Sequence, residues 1–278
     1  MSQTGDSRAL ADARTALLDA LEALDHQRAS VIVVGAQAIY LHTGPLARVA
    51  LAEFTLDGDL AVDARSLSAA PLLDEAMRKG GFTHDEADQP GSWRNAAGIA
   101  VDLMVPDALA GPGRRGARIP PHSKQSTRRA VGLEAAVVDH TPMLIKSLTS
   151  EDTRAFTVKV ASPAALLVAK LHKLGERVDE ERPVDNKDAH DVYRLLVAVP
   201  TADLVASLRT LASDPLAGDV TRVAIKLLSA LFIEGSPPVG ARMAGQAEST
   251  VGEPAVVAAA SVELARDVFT EIGDLAGG

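Results

Sequence analysis

The residues best suited to chemistry are two aspartates one residue apart, in Thr55-Leu56-Asp57-Gly58-Asp59-Leu60-Ala61-Val62. The apolar residues that follow predict a strand over 55–62. Side chains two apart on a strand share a face, so Asp57 and Asp59 are expected to aim at one point. Two carboxylates held that close repel each other, and a divalent cation relieves the repulsion. Mg2+ suits such a pair because it takes hard oxygen ligands, usually one or two carboxylates together with substrate phosphates. Mn2+ is the second option. A third acid, Asp102, interrupts the apolar run Val101-Asp102-Leu103-Met104-Val105. A carboxylate buried there is costly unless it is paired or bound to metal. Asp102 is therefore a candidate third ligand; the alternative is an edge-strand acid facing water.

Other stretches offer groups for an anion. Residues 30–34, rich in valine, predict a buried strand, and Gly35 follows directly before a predicted helix over 36–42. Backbone N–H groups and the helix dipole converge at such a turn, and glycine lets a phosphate approach closely. Lys170, Lys173 and Arg177 recur at i, i+3 and i+7 on a second predicted helix, and so share a face. Asp188 and Asp191 lie one turn apart on a third. Either helical group could equally be a surface ion-pair network. Residues 111–129 hold Arg114, Arg115, Arg118, Lys124, Arg128 and Arg129 with no acid among them. Their glycines and prolines predict a loop, read either as a flexible arm for phosphates or as a solvated basic loop.

These groups must be positioned by ordinary globular elements. The chain has 278 residues, 47% of them hydrophobic, which is ample for a core. Its net charge of −9 argues against an overall basic nucleic-acid binder. The absence of cysteine excludes disulfides, thiolate-bound zinc and thiol catalysis. No apolar run reaches the roughly 18 residues of a membrane span, and residues 1–6 carry no signal-peptide pattern, so a cytoplasmic protein is expected. A helix is predicted over 7–27 and another over 68–79, with a loop over 43–54 between the first helices and the acidic strand. Strands are predicted over 82–86, 92–95, 98–104, 133–138, 143–147 and 156–160. From Ser162-Pro163, a helix-start signal, the chain changes character. Helices are predicted over 163–177, 187–197, 201–213, 220–232 and 254–275, with a mobile connector over 237–249. The fold class expected is α+β: a mixed-sheet domain over 1–161, and a helical domain over 162–278 that completes a cleft.

Taken together, Gly35-Ala36, Thr55 to Asp59, Lys170 to Arg177 and Asp188 to Asp191 resemble the four motifs of the AbiEii-type nucleotidyltransferases, which include the MenT group of toxins. These belong to the DNA polymerase β-like superfamily. The likeness covers residues 30–196. It implies transfer of a nucleoside monophosphate from an NTP to an acceptor hydroxyl, with pyrophosphate released. Asp57 and Asp59 would hold Mg2+, and Asp102 would hold the metal at the acceptor or act as its base. Gly35, Ala36 and Thr55 would contact the nucleotide, as would Lys170, Lys173, Arg177 and Asp188. Lys170 and Asp191 would also serve catalysis. The resemblance further implies an RNA acceptor, the 3′ end of tRNA, and a toxin neutralised by a separate antitoxin in a type IV-like system. The basic residues Arg114, Arg115, Arg118, Lys124, Arg128 and Arg129 would suit that RNA. Ala36 departs from the family pattern, where a second glycine or a serine stands, and Lys173 replaces a small residue. Two alternatives stay open: a nucleotide-binding pseudoenzyme with the same fold, and a metal-dependent glycosyltransferase.

Overall fold

The structure is a computed structural model that describes residues 3–44, 57–84, 89–179, 186–249 and 252–273. The chain divides into two compact units, residues 1–38 with 54–161 and residues 39–53 with 162–278.

In the first unit, α1 (Gln3–Ala23) buries Ala13, Leu17 and Leu21, the apolar stripe that its three- and four-residue spacing predicts. It stops earlier than expected, and a 3-10 turn over Asp25–Ser30 leads into β1 (Val31–Val34). All four β1 residues are buried, as a continuous β-branched run requires of a central strand. α2 (Gly35–Thr43) starts at once. The rest of the sheet is β2 (Gly58–Val62), β3 (Ser92–Arg94), β4 (Ala100–Pro106), β5 (Arg128–Ala130), β6 (His140–Lys146) and β7 (Ala155–Ala161). The strand order is β3-β4-β2-β1-β7-β6, with β5 pairing β4. β1 runs antiparallel to β2 and parallel to β7, and β2 runs parallel to β4, so the sheet is mixed.

Several local expectations change. α3 (Leu73–Lys79) begins five residues late, because the Ser68 carbonyl is taken by the Gln27 side chain and His122 Nε2 instead of a helical N–H. Residues 133–138 form not a strand but α4 (Glu134–Val138). There the Glu134 carboxylate accepts from the N–H groups of Gly132 (2.8 Å) and Ala108 (2.9 Å), and two alanines favour the helix. The predicted strand over 82–86 is reduced to one bridge from Thr83 to Arg94, and residues 85–88 lie outside the described residues. So does most of the loop predicted over 43–54.

The basic segment is ordered rather than a free arm. Ala117 N–H donates to the Thr127 carbonyl and Arg129 N–H to that of Arg115, and residues 128–130 form β5. Buried His122 accepts from Leu73 N–H at Nδ1 and meets the Ser68 carbonyl at Nε2. The Trp93 indole donates to the Ser126 carbonyl at 3.0 Å.

The second unit holds α5 (Pro163–Asp179), α6 (Asn186–Ala198), α7 (Thr201–Ala212), α8 (Gly218–Phe232), α9 (Val239–Ala247) and α10 (Pro254–Ile272). Ser162 Oγ accepts from Ala165 N–H at 3.1 Å and caps α5, as Ser-Pro predicts. The connector expected over 237–249 is instead the buried helix α9. Its Gly240 and Gly245 lie against the Phe232 ring and the Pro254 carbonyl, approaches that a Cβ would block. An α+β protein with the sheet in the N-terminal half and helices in the C-terminal half is thus observed.

Candidate functional site

In the sheet unit, three neighbouring strands bring acids together. Asp59 lies opposite Val34, the last residue of β1, and in register with Asp102 on parallel β4. In-register neighbours on strands about 4.8 Å apart point to the same face, so Asp59 and Asp102 are side by side. Asp57 is not in the strand as expected; pairing begins at Gly58, opposite Val101, and Asp57 immediately precedes it. Asp63 is at the far end of β2, about 13 Å along the strand from Asp59, and is held by Arg65 at 2.9 Å.

The glycine turn meets the acids directly. Gly35 has φ +67°, and a Cβ built there would fall 2.0 Å from Asp59 Oδ2. Backbone conformation and space each require glycine. The start of α2 and the Asp59 carboxylate therefore occupy one place, where the positive end of a helix favours negative charge. Arg14 on α1 fixes this turn: its Nε donates to Gln37 Oε1 at 2.9 Å and its Nη1 to the Lys146 carbonyl at 3.0 Å. Ala36 is buried. Thr55 lies outside the described residues.

Asp102 has a partner. Arg128 on β5 donates to its Oδ2 from Nη2 at 2.9 Å and from Nε at 3.3 Å. Arg129, one residue on, pairs with Asp107 at 2.6 Å. Of the six basic residues predicted to meet RNA, Arg128 and Arg129 are thus half-buried and paired, while Arg114, Arg115, Arg118 and Lys124 are exposed. The oxygen donors Asp57, Asp59 and Asp102 match a hard divalent cation in type. Among the described residues, however, no three acidic or histidine side chains are grouped so as to hold a metal ion.

A cleft of about 670 Å3 elsewhere on this unit, lined by Asp19, Glu22, Asp25, His26, Glu75 and Lys79, contains none of the predicted residues. Its acidic lining is the wrong sign for a phosphate.

In the helical unit, α5 and α6 form a charge cluster. Lys170 Nζ lies 2.6 Å from Asp188 Oδ1 and 2.6 Å from Asp191 Oδ2, and all three residues are buried. Lys173 reaches Asp188 at 3.2 Å and Arg177 reaches it at 2.8 Å. Burial opposes the charge on Lys170, but the two carboxylates overcome it and raise its pKa. Burial likewise opposes ionisation of Asp188, and Lys170, Lys173 and Arg177 overcome it and lower its pKa. The predicted helical residues are therefore one assembly.

Two members were not predicted. Arg194, 1% exposed, donates from Nε to Thr43 Oγ1 at 2.7 Å, bonds the Gly44 carbonyl, and stacks 4.7 Å from the Tyr40 ring centre. The Tyr40 hydroxyl is pushed up to about 12 by burial and by Asp191, against Arg194 and Lys170. The sequence did hold a signal for Arg194: it follows Asp191 by three residues, inside the apolar run Val192 to Leu196. With it, four cations, Lys170, Lys173, Arg177 and Arg194, are grouped with Asp188 and Asp191 among the described residues.

An acidic strand end and a helix face bearing several cations, in one chain, are the two charge types that phosphoryl-group transfer uses. A nucleotidyltransferase family model matches residues 13–214, most of the chain, and the protein belongs to that family. No curated protein and no solved structure matches it. Among the described residues, no single helix is long and apolar enough to cross a membrane.

Proposed function

We propose that this nucleotidyltransferase is of the AbiEii type: it moves a nucleoside monophosphate from an NTP to a hydroxyl of RNA, with the 3′ end of tRNA as the favoured acceptor. The observation that carries the reading is the meeting of Gly35 and Asp59. A turn suited to phosphate and an acid suited to its counter-cation share one place, in a member of a nucleotidyl-transferring family. In the reaction, the acceptor oxygen bonds the α-phosphorus, the bond to pyrophosphate breaks, and the acceptor proton passes to a base. Asp57, Asp59 and Asp102 would hold Mg2+, or Mn2+, which when bound neutralises phosphate charge and eases ionisation of the acceptor. If Asp102 does not hold that metal it is the candidate base instead, and the backbone of Gly35 and Ala36 is assigned to the phosphates, with Thr55 beside it.

In the helical unit, Lys173 and Arg177, with side chains 46% and 24% exposed, are the cations suited to meet phosphate oxygens. Lys170, Asp188 and Asp191 hold the charge balance behind them. Capping the 3′ end of tRNA would stop translation, so the biological role proposed is that of a toxin paired with a separate antitoxin protein. Arg114, Arg115, Arg118 and Lys124 suit the RNA. A second reading, a nucleotide-binding regulator without transfer, is favoured by Ala36 in place of a second glycine or a hydroxyl-bearing residue. The family match favours nucleotidyl transfer over the metal-dependent glycosyltransferase that the pair Asp57 and Asp59 would also suit.

The test is incubation with total RNA and each of four α-labelled NTPs in Mg2+. Label should enter RNA, with pyrophosphate released, and Asp57→Ala or Asp59→Ala should abolish it while far-UV circular dichroism is unchanged. Saturable NTP binding with no transfer to any RNA would establish the regulator instead.

A further inference from the structure

We propose that Arg128 and a divalent cation compete for Asp102, so that Arg128 is a counter-cation of that carboxylate until metal binds. The inference deepens the metal-site reading above and rests on it. Arg128 is held in position by its strand: β5 pairs with β4 at Met104, which sets Arg128 diagonally across from Asp102. Gly91, at φ +80°, is wedged against this pairing, where a Cβ would stand 2.4 Å from the Leu103 carbonyl oxygen and 2.5 Å from Arg128 N. Strand alternation sends Arg129 away to Asp107 and leaves Arg128 facing the acids.

The contact has the form of an exchangeable one. Nη2 and Nε of Arg128 both donate to the same oxygen, Oδ2, instead of bridging the two carboxylate oxygens. The side chains are 28% and 18% exposed, so solvent can replace either partner. The Lys170–Asp188 pair differs: at 8% and 3% exposed, its separation would strand a buried charge. Asp102 stands in register beside Asp59, so a cation shared by the two acids would draw on the same carboxylate charge that now holds the guanidinium through Oδ2.

The experiment is a MnCl2 titration of the full chain, read by calorimetry and by the electron paramagnetic resonance of free Mn2+. Arg128→Met should bind Mn2+ about three- to fivefold more tightly than wild type, the worth of an exposed ion pair removed as competitor. In an Asp102→Asn background the same substitution should change affinity by less than about twofold. Arg128→Lys, which keeps charge but loses the two-donor contact, should fall between. Arg129→Met removes a like charge one residue on and should leave Mn2+ affinity within about twofold of wild type. An equal gain with and without Asp102 would mean general charge repulsion and overturn the inference, as would no gain with Asp102 present. If wild type shows no saturable Mn2+ site weakened by Asp57→Asn and Asp59→Asn, the metal reading itself falls, and this inference with it. Melting curves without Mn2+ confirm that each variant is folded.

Discussion

Lys170 carries an ammonium with almost no water around it and two carboxylates at 2.6 Å. From the sequence alone, Lys170→Ala is expected to abolish transfer and leave the fold intact; burial reverses the second half of that expectation. Removing one partner of a buried ion pair costs about 3–5 kcal/mol because the others are left uncompensated. Lys170→Met should therefore lower the melting temperature together with activity. Lys173→Ala, at a side chain 46% exposed, should weaken NTP binding with little change in melting. Nucleotide titrations and melting curves on both variants separate these outcomes. The same cluster sets a pH dependence. Asp188 is held below its ordinary 3.8, so its contribution to stability is complete above that value and drains away as pH falls below about 4. Tyr40, pushed up to about 12, stays protonated when folded, so its contribution is complete below 10.0 and is lost as pH rises through about 12. Calorimetric melting temperatures should fall on both sides, and Tyr40→Phe should flatten the alkaline fall alone. Identical slopes above pH 10 in the two proteins would remove Tyr40 from that account.

At the scale of elements, helix packing in the second unit depends on glycines that propensity disfavours. Replacing a mid-helix glycine by alanine gains about 1 kcal/mol in intrinsic preference. At Gly245 the new Cβ would stand 2.2 Å from the Pro254 carbonyl oxygen, a backbone atom at the start of α10 that cannot step aside. Overpacking of that kind costs about 1–3 kcal/mol, so Gly245→Ala should be net destabilising. At Gly175 the obstacle is the tip of the Leu227 side chain at 2.9 Å, which can rotate, and Gly175→Ala should be near neutral or stabilising. Urea unfolding of the pair measures the contrast. The same logic explains why α9 was illegible in the sequence. Its glycines and flanking prolines read locally as a connector, and only the α10 start and the Phe232 ring against them show that they are contact surfaces. α4 was misread for a related reason: Glu134 fixes it through N–H groups of Gly132 and of Ala108, 26 residues upstream. By contrast, β1, α5 and α6 were legible because a β-branched run, a Ser-Pro cap and an apolar face are local signals.

For the whole molecule, a net charge of −9 and four exposed cations between Arg114 and Lys124 pull in opposite directions on RNA. Binding must therefore come from a local patch and be steeply salt-dependent. Each single-strand phosphate contact contributes roughly −0.7 to the slope of log affinity against log salt. Arg114→Ala with Arg115→Ala should weaken tRNA binding and make that slope shallower by about 1.4. Filter binding across 50–300 mM KCl, about the range in which such slopes are read, tests it. An unchanged slope would remove the basic segment from the RNA interface.

The sequence by itself determined the order of the two halves, most of their strands and helices, and the identity of the acids and cations. Period, caps and turn residues act within a few positions of one another, and so they can be read along the chain. Tertiary structure alone decided which charges face which. Arg128 neutralises an acid 26 residues before it, Lys170 an acid 18 residues after it, and Gly35 must be glycine because Asp59 leans on it from a neighbouring strand. Those choices depend on strand register and on the burial of whole helices, and a charge bound for solvent looks the same in sequence as one that will lose its water.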